Sequence, residues 1–305
     1  MTLMLKRMLT LTLATLLIGG IAVSGAKGWL APQDTTIHEV APGVYFRKAQ
    51  TEPTFTGCNQ GWIEFKDFVL VIDANFPGQV EHLVKAVREK TQKPIKFVFD
   101  THHHGDHADG NVQFVKLGAT AIANERSRPL FETTGIQGFE GAKKSRAAEY
   151  GELSYEMPSL YFDRKFVFDD GNQRVELLYI GHGHTAGDAV AWLPRHGILF
   201  TGDACVNGAF NYTGEGNTES WVNVLTQMAE LPVKKVCPGH GEMGDKKLIE
   251  NQRRYFVEMR AAIRKLIDAG KSLDQVKAEL DVPFYREWTG VDVKTRTENI
   301  EKVYS

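Results

Sequence analysis

Cysteine is scarce in this chain of 305 residues, which has three: Cys58, Cys205 and Cys237. An odd number allows at most one disulfide bond, and the spacing of the three residues matches neither a zinc knuckle nor a redox motif. We therefore interpret Cys58 and Cys237 as buried thiols.

The chain also lacks an excess of charge of one sign. It has 36 Lys and Arg against 38 Asp and Glu, which gives a formal net charge of −2. Without a general basic field, nucleic acid is not an expected partner. No internal repeat or linker interrupts the sequence after residue 30, so residues 30–305 are predicted to form one domain with a C-terminal helical extension.

The N-terminus differs from the rest of the chain. Lys6 and Arg7 precede an apolar run, and small residues follow before Lys27, which is the order of a secretory signal peptide. The alternative is an uncleaved membrane anchor, but the run is short and ends in small residues. We predict a signal peptide at residues 1–26, a periplasmic or secreted mature protein, and no stable membrane anchor after cleavage.

The remaining sequence alternates between strand and helix patterns in two halves, each of which begins with consecutive strands. Such an order places sheets in the middle and helices outside. Val80, Leu83, Val84 and Val87 share one helical face. Residues 126–155 are polar and weakly patterned, and we interpret them as an insertion with some helix whose position relative to any site is open.

A dense polar stretch, "FDTHHHGDHADGN" at residues 99–111, follows a short apolar strand and holds four His and three Asp. His102, His104 and Asp106 are spaced by two. Alternate residues of an extended segment share a side, so these side chains are expected to converge. His107 is expected to point at a second position, and His103 to face away from His102 and His104.

Three further polar residues lie at predicted strand ends: His184 in "GHGHTAGD", Asp203 in "LFTGDA" and His240 in "CPGHG". Imidazole and carboxylate are the usual zinc ligands, and glycine allows the backbone to turn tightly beside them. A single histidine is more often packed or exposed. Three strand-end residues together with the dense stretch therefore predict a metal site.

The number of candidate ligands predicts two Zn²⁺ per chain. One set is His102, His104 and His184, the other is Asp106, His107 and His240, and Asp203 is the natural bridge. Metals in paired hydrolytic sites lie roughly 3.5–4 Å apart, and a water between them ionises near neutral pH to become the nucleophile. Asp106 is also the predicted catalytic residue, because it would orient that nucleophile or accept its proton.

These motifs resemble those of the metallo-β-lactamase superfamily. "THHHGDH" is similar to its H-x-H-x-D-H signature, "GHGHTAGD", "FTGD" and "PGHG" look like its later metal motifs, and "VIDAN", with Asp73, looks like an early structural motif. The resemblance covers roughly residues 40–245. It implies a four-layer αββα sandwich with the metals at one edge of two sheets. It also implies a ligand role for the same seven residues.

"GHTAGDAVAWLPRHGILF" and "YTGEGNTESW" resemble the class B β-lactamases in particular, but three positions depart from that pattern. Asp203 stands where those enzymes have a cysteine ligand. Val206 replaces the lysine that holds the substrate carboxylate, and Tyr212 replaces a frequent asparagine. The Asp203 pattern is more similar to glyoxalase II and lactonases.

The leading hypothesis is a zinc-dependent hydrolase that cleaves an amide or ester bond of a small molecule, with β-lactam ring opening as the nearest candidate. The alternatives are a lactone or thioester hydrolase of the glyoxalase II type and an iron-dependent dioxygenase on the same fold. A non-catalytic binding protein would have lost ligands, and none is lost. The physiological substrate and the oligomeric state are left open.

Several other residues near the motifs are interpreted as supporting ones. Asp188 is expected to fix the loop of His184, and His182 is expected to have a structural or hydrogen-bonding role. Cys205 would be a ligand only if its loop shifted in register. Trp62, Phe139 and Tyr212 either line a substrate cleft or pack elsewhere.

Overall fold

The computed structural model describes residues 36–49, 51–52, 55–208, 212–283 and 293–305. The predicted signal peptide, residues 1–26, lies outside these ranges. Within them, no helix is both long enough and apolar enough to cross a membrane.

The first sheet has seven strands in the order β1-β2-β5-β6-β7-β8-β9. Their bounds are Thr36–Ala41, Val44–Lys48, Gln60–Glu64, Val69–Ile72, Ile95–Phe99, Thr120–Asn124 and Leu160–Phe162. Pairing is antiparallel from β1 to β6 and parallel from β6 to β9. A separate short hairpin joins β3 (Thr51–Glu52) and β4 (Phe55–Thr56).

Helices connect the parallel strands of this sheet. Helix α1 (Pro77–Lys90) lies between β6 and β7, and α2 (Gly105–Ala108) and α3 (Asn111–Lys116) lie between β7 and β8. Between β8 and β9 the chain is helical over most of residues 125–150. This part comprises a 3-10 turn (Glu125–Ser127), α4 (Arg128–Leu130), a π-helical turn (Phe131–Gly135), α5 (Ile136–Ser145) and α6 (Ala147–Tyr150). The expected insertion with some helix is therefore largely helical.

The second sheet has five strands in the order β10-β11-β12-β13-β14. Their bounds are Lys165–Asp169, Arg174–Tyr179, Ala189–Leu193, Ile198–Gly202 and Lys235–Pro238. Helix α7 (Thr218–Glu230) connects the parallel pair β13 and β14. Three helices follow: α8 (Lys246–Asp268), α9 (Leu273–Glu279), which begins with a capping box at Ser272, and α10 (Val293–Tyr304).

The layers are defined by three buried apolar clusters. Between the sheets, side chains such as Phe99 of β7 and Phe200 of β13 pack together. Leu83 of α1 belongs to a cluster on the outer face of the first sheet, and Trp221 of α7 and Phe256 of α8 belong to one on the outer face of the second. Each sheet thus buries one face against the other sheet and one against helices, which is the αββα sandwich that the sequence predicted.

Loops of the two sheets meet at one edge. The backbone N–H of Ala189 donates to the carbonyl of Thr101 (3.0 Å), and the N–H of Asn59 donates to the carbonyl of Gly239 (2.7 Å). The side-chain amide of Asn59 also donates to the carbonyls of Pro238 and Gly241. The first bond joins the loop after β7 to the end of the loop after β11, and the others join the residue before β5 to the loop after β14. The motif residues lie on the loops after β7, β11, β13 and β14.

Candidate metal centre

The dense histidine stretch is a turn that enters a helix. Residues 101–103 form a bend, His104 is the N-cap of α2, and Asp106 and His107 lie within that helix. The expectation of an extended segment over these residues is therefore wrong. The side chains of His102 and His104 nevertheless converge, because the bend at His103 turns the chain between them.

The first cluster of candidate ligands, here called the three-histidine group, consists of His102, His104 and His184. His104 Nδ1 lies 3.0 Å from His102 Nε2 and 3.0 Å from His184 Nε2. His184 comes from the loop after β11, and that loop is closed by Asp188. The Asp188 carboxylate accepts the N–H groups of His184 (2.6 Å) and Thr185 (2.9 Å) and the Thr185 hydroxyl, which confirms its expected role.

Hydrogen-bond partners on the outer side set the tautomer of two of these rings. His104 Nε2 lies 3.0 Å from a carboxylate oxygen of Glu215, and His184 Nδ1 lies 3.2 Å from the carbonyl of Tyr212. Both partners accept, so each of those nitrogens carries the proton. His104 Nδ1 and His184 Nε2 therefore face each other with lone pairs.

The tautomer of His102 is set in the same way, by a hydrogen bond to Thr101. The Thr101 hydroxyl donates to Asp73 (2.9 Å), so its oxygen can accept from His102 Nδ1 at 3.2 Å. This leaves a lone pair on His102 Nε2 as well. Three lone pairs that converge at hydrogen-bond distance without a proton between them would repel each other, and a cation removes that repulsion.

The second cluster, here called the mixed group, consists of Asp106, His107, Asp203 and His240. His240 Nε2 lies 3.1 Å from Asp106 Oδ2 and 3.3 Å from Asp203 Oδ2. His107 Nε2 lies 3.3 Å from Asp203 Oδ1 and 3.5 Å from Asp106 Oδ2. Asp203 Oδ2 also lies 3.7 Å from His184 Nε2, so this carboxylate reaches both groups.

The tautomer of His107 is set by Asp73. His107 Nδ1 lies 3.0 Å from Asp73 Oδ2, so the proton sits on Nδ1 and the lone pair on Nε2. His107 Nε2 and Asp203 Oδ1 are both buried without a hydrogen-bond partner among the described residues. A buried lone pair opposite a buried carboxylate oxygen fits a cation between them. Asp73 itself has φ of 60°, a strained value that its contacts hold in place.

The two groups have opposite electrostatics. Burial and the neighbouring His104 lower the pKa of His184 to about 3, and burial with the charges of the adjacent histidines also lowers the pKa of His102. Burial lowers the pKa of His240 too, but the carboxylates of Asp203 and Asp106 outweigh it and raise the pKa to about 9. The mixed group therefore attracts positive charge, whereas the lowered pKa values of His102 and His184 keep these two rings neutral.

Glycines on two loops make room for Asp203. Gly202 has φ of 50°, and a Cβ there would overlap the Thr101 side chain. A Cβ on Gly239 would overlap Asp203 Oδ1 and the backbone of Gly202. Gly202 of "FTGD" is thus required by the close approach of Thr101, and Gly239 of "PGHG" by the close approach of Asp203.

The other sequence candidates divide between support and packing. His182 Nε2 donates to the Glu215 carbonyl (2.9 Å), as expected for a hydrogen-bonding role. Cys205 is a buried free thiol in the cluster of the second sheet's outer face, as Cys58 and Cys237 are buried thiols elsewhere. Trp62 and Phe139 are fully buried, Trp62 stacked on Tyr45 and Phe139 against Tyr150.

A cavity of about 230 Å³ opens beside the three-histidine group. Its lining residues are His103, His104, Gly105, Thr134, Gly135, Gly138, Tyr212 and Glu215. Thr134 and Gly135 belong to the π-helical turn, so the 126–155 segment forms one wall of this cavity. Tyr212 is 37% exposed and also lines this cavity, so of the two interpretations left open for it, lining a cleft is confirmed.

Glu215 is a site residue that the sequence pattern did not identify, as are Thr101 and Thr134. One of its carboxylate oxygens lies 3.0 Å from both His103 Nε2 and His104 Nε2, and Thr134 Oγ1 lies 2.9 Å from the same His103 nitrogen. His103, His104 and Glu215 are close enough to hold a metal, but these contacts are ordinary hydrogen bonds. Glu215 is 111 residues from His104, and only its position in "TGEGN" between glycines marks a turn.

Comparisons with known proteins agree with this architecture. Residues 53–240 match the model of the metallo-beta-lactamase superfamily. The chain is 29% identical over 189 residues to a metallo-beta-lactamase type 2 of Bacillus sp. (strain 170), a match that covers 59% of this chain and 65% of the relative. It is 27% identical over 189 residues to a metallo-beta-lactamase type 2 of Bacillus cereus, covering 59% and 66%.

The chain thus spans just under two thirds of the length of these relatives. Among solved structures, a metallo-beta-lactamase from Pontibacter korlensis aligns with a TM-score of 0.62 at 21% identity, over 73% of this chain and 99% of that one. That likeness concerns the fold. Because the family model covers well over half of the chain, the chain belongs to the metallo-beta-lactamase superfamily, whose members are generally metal-dependent hydrolases.

Proposed function

We propose that this chain is a binuclear zinc hydrolase that cleaves an amide or ester bond of a small-molecule substrate. The observation that carries the proposal is the convergence of seven His and Asp side chains in two adjacent groups that Asp203 connects. The three-histidine group would hold one zinc ion, Asp106, His107 and His240 the second, and Asp203 both. Bound there, zinc supplies Lewis-acid polarisation of the scissile carbonyl and lowers the pKa of a water molecule.

We propose that Asp106 is the residue that takes part in proton transfer. Burial raises the pKa of this carboxyl, but His107 and His240 outweigh that effect, so the pKa is lowered and the group is ionised at neutral pH. Its side chain remains 20% exposed, so it can contact a water molecule as well as its two imidazole neighbours. We propose that it orients the attacking water and accepts its proton.

The supporting residues keep the ligand lone pairs aimed inward. Asp73, Thr101, Glu215 and the Tyr212 carbonyl each hold the outer nitrogen of one imidazole. Fixed tautomers raise metal affinity, because no proton has to leave the nitrogen that faces the metal. The cavity lined by Thr134 and Tyr212 would accommodate the part of the substrate beyond the scissile bond.

β-Lactam ring opening is the nearest candidate reaction, since the relatives reported above carry the name metallo-beta-lactamase. A lactone or thioester is the second candidate, and Val206 is the observation that favours it. Val206 is 1% exposed, and its N–H donates to the buried Gln252. This position therefore offers no cation to a substrate carboxylate.

For the whole protein we propose one catalytic domain over residues 30–305, with α8, α9 and α10 as its helical extension. We further propose a signal peptide at residues 1–26, a periplasmic or secreted location and no nucleic-acid partner. Exchange of the leader for a cytoplasmic start, followed by fractionation of cells that express both forms, tests the location.

Metal analysis and a substrate panel test the reaction. Two zinc ions per chain and turnover of at least one member of a β-lactam, lactone and thioester panel are expected. One iron and no zinc would overturn the di-zinc assignment in favour of the dioxygenase alternative. Turnover of lactones or thioesters without turnover of nitrocefin would reject the β-lactam substrate and leave the hydrolase proposal intact.

A further inference from the structure

The loop at residues 212–216 carries two groups that hold ligand histidines. The carbonyl of Tyr212 accepts from His184 Nδ1 at 3.2 Å, and the carboxylate of Glu215 accepts from His104 Nε2 at 3.0 Å. The orientation of both rings therefore depends on where this loop lies. A displacement of the loop would take the acceptor away from both outer nitrogens at once.

The side chain of Thr213 anchors this loop. Tyr212 and Gly214 are exposed and Glu215 is partly buried, whereas Thr213 is fully buried. The N–H of Gly216 donates to the Thr213 carbonyl at 2.9 Å, which closes a turn over the two residues between them. A tight turn moves as a unit, so the position of Thr213 sets the positions of its neighbours on either side.

Helix α10 supplies the partner of this anchor. The Thr213 hydroxyl donates to Asn299 Oδ1 at 2.8 Å, and Asn299 Nδ2 donates to the hydroxyl of Tyr255 in α8 at 2.9 Å. Thr213 and Asn299 are each 0% exposed, and Tyr255 is 2% exposed. Because these groups are shielded from water, the loss of one would leave its partner buried and unsatisfied. The buried bonds therefore hold the loop firmly against the C-terminal extension.

Two further bonds reach the same loop from more open positions. Lys302 of α10 donates to the Gly214 carbonyl at 3.1 Å, but this lysine is exposed and can exchange the bond for one to water at little net cost. His182 donates to the Glu215 carbonyl at 2.9 Å and so joins the loop to the neighbouring His184 loop. The link from the loop to the interior of the helical extension is thus the one through Asn299.

We infer that Asn299 is a positioning residue of the candidate metal centre: through Thr213 it fixes the acceptors that orient His104 and His184, and it thereby sets the zinc affinity of the three-histidine group. The inference about affinity rests on the proposed zinc binding. Asn299 lies beyond residues 53–240, which match the family model, so the C-terminal extension contributes to the order of the ligands.

Variants at both ends of the buried bond test the inference. Asn299→Leu keeps a similar volume and removes both hydrogen bonds of the amide, Thr213→Val removes the hydroxyl, and Thr213→Ser keeps it. Chelator competition is expected to show about a tenfold loss of affinity for one of the two zinc ions in Asn299→Leu and Thr213→Val, as for loss of a supporting residue. Thr213→Ser is expected to retain the affinity. Wild-type affinity in both Asn299→Leu and Thr213→Val would refute the inference.

Arg296 offers a matched control on the same helix. It donates to the carbonyls of Lys277 (3.2 Å) and Leu280 (2.6 Å) and so joins α10 to α9. Arg296→Met removes these two bonds and leaves the bond between Asn299 and Thr213 in place. Urea unfolding is expected to show lower stability for this variant, with zinc affinity unchanged. An equal loss of zinc affinity in Arg296→Met and Asn299→Leu would assign the effect to a general loosening of α10 and contradict the inference.

Nitrogen-15 NMR of the imidazole rings in metal-free protein separates this inference from the hydrolase proposal. At about pH 8, where an ordinary imidazole is neutral, wild type is expected to carry the proton on His184 Nδ1 and His104 Nε2. Asn299→Leu is expected to add the other tautomer to both rings, and Arg296→Met to keep the wild-type pattern. A wild-type protein without zinc binding or turnover would reject the proposed function and leave this readout intact. Unchanged tautomers in Asn299→Leu would overturn the positioning role itself.

Discussion

The three-histidine group and the mixed group lie side by side and share Asp203, yet they are held by different forces. In the first, imidazole rings are oriented by hydrogen bonds to the Glu215 carboxylate, the Thr101 hydroxyl and the Tyr212 carbonyl. In the second, two carboxylates raise the pKa of His240 to about 9. Hydrogen bonds that fix the tautomers therefore order the first group, and attraction between charged side chains orders the second.

This difference determines how strongly protons compete with a metal ion for the ligands of each group. In the three-histidine group, His102 and His184 have lowered pKa values, so these two rings keep a lone pair available for a metal even in mild acid. His240 must lose a proton before it can bind a metal, although the adjacent carboxylates attract the ion. We expect the two groups to differ in metal affinity and in the pH range over which they bind.

The largest effect is expected for Asp203→Ala, which removes the side chain that both groups share. Bound zinc should fall below two equivalents, and kcat/KM should fall by at least about a hundredfold, since loss of a ligand exceeds the usual cost of losing a supporting residue. Metal analysis and steady-state kinetics measure the two quantities. Full zinc content together with unchanged activity would show that Asp203 does not connect the groups.

Gly239→Ala should weaken the mixed group by steric displacement. The added methyl would overlap Asp203 Oδ1 and the Gly202 backbone. We expect a loss of about 1–3 kcal/mol in the free energy of unfolding, as for other overpacked sites, and weaker binding of one zinc. Gly138→Ala is the matched control because its methyl meets no atom within 4 Å. Equal stability of the two variants would argue against close packing around Asp203.

Glu215→Gln should affect the three-histidine group alone. The amide keeps the shape but weakens the acceptor for His104 Nε2, so zinc affinity of that group should fall about tenfold, measured by chelator competition. The matched control is Glu219→Gln, whose carboxylate is 81% exposed and pairs with Arg260. A loss of the other zinc instead would contradict the assignment of Glu215 to His104.

The smallest effect is expected in the pH dependence of the free energy of unfolding, measured on protein from which a chelator has removed the metal. His184 has a folded pKa of about 3 against an ordinary 6.5, so the unfolded chain binds its proton first and stability falls as pH drops below about 6.5. His240 has a folded pKa of about 9, so its contribution is complete below 6.5 and is lost as pH rises through 9.

Urea unfolding between about pH 5 and pH 9.5 measures both slopes. His184→Asn should flatten the acid side, and His240→Gln should flatten the alkaline side. If His184→Asn flattened the alkaline side and His240→Gln the acid side, the proposed difference in electrostatics between the two groups would be wrong.

The regular elements were largely predictable from the sequence. Strands β5 to β7, helices α1 and α8 and the Ser272 cap follow from periodicity and capping residues, which act over short range. The conformation of the histidine stretch was not predictable in the same way. An alternating pattern fits an extended segment, but contacts with Asp73 and Ala189 bend residues 101–103 and α2 begins at Gly105.

The sequence by itself determined which side chains are candidate metal ligands, because the spacing of the motifs His102–His107, His184, Asp203 and His240 and their positions after apolar strands are local properties. The tertiary structure alone decided which nitrogen of each imidazole faces inward. That choice depends on the group that contacts the outer nitrogen. Asp73 lies 34 residues before His107, and Glu215 lies 111 residues after His104. No local pattern encodes a hydrogen bond across such distances, so the role of Glu215 emerged only from the fold.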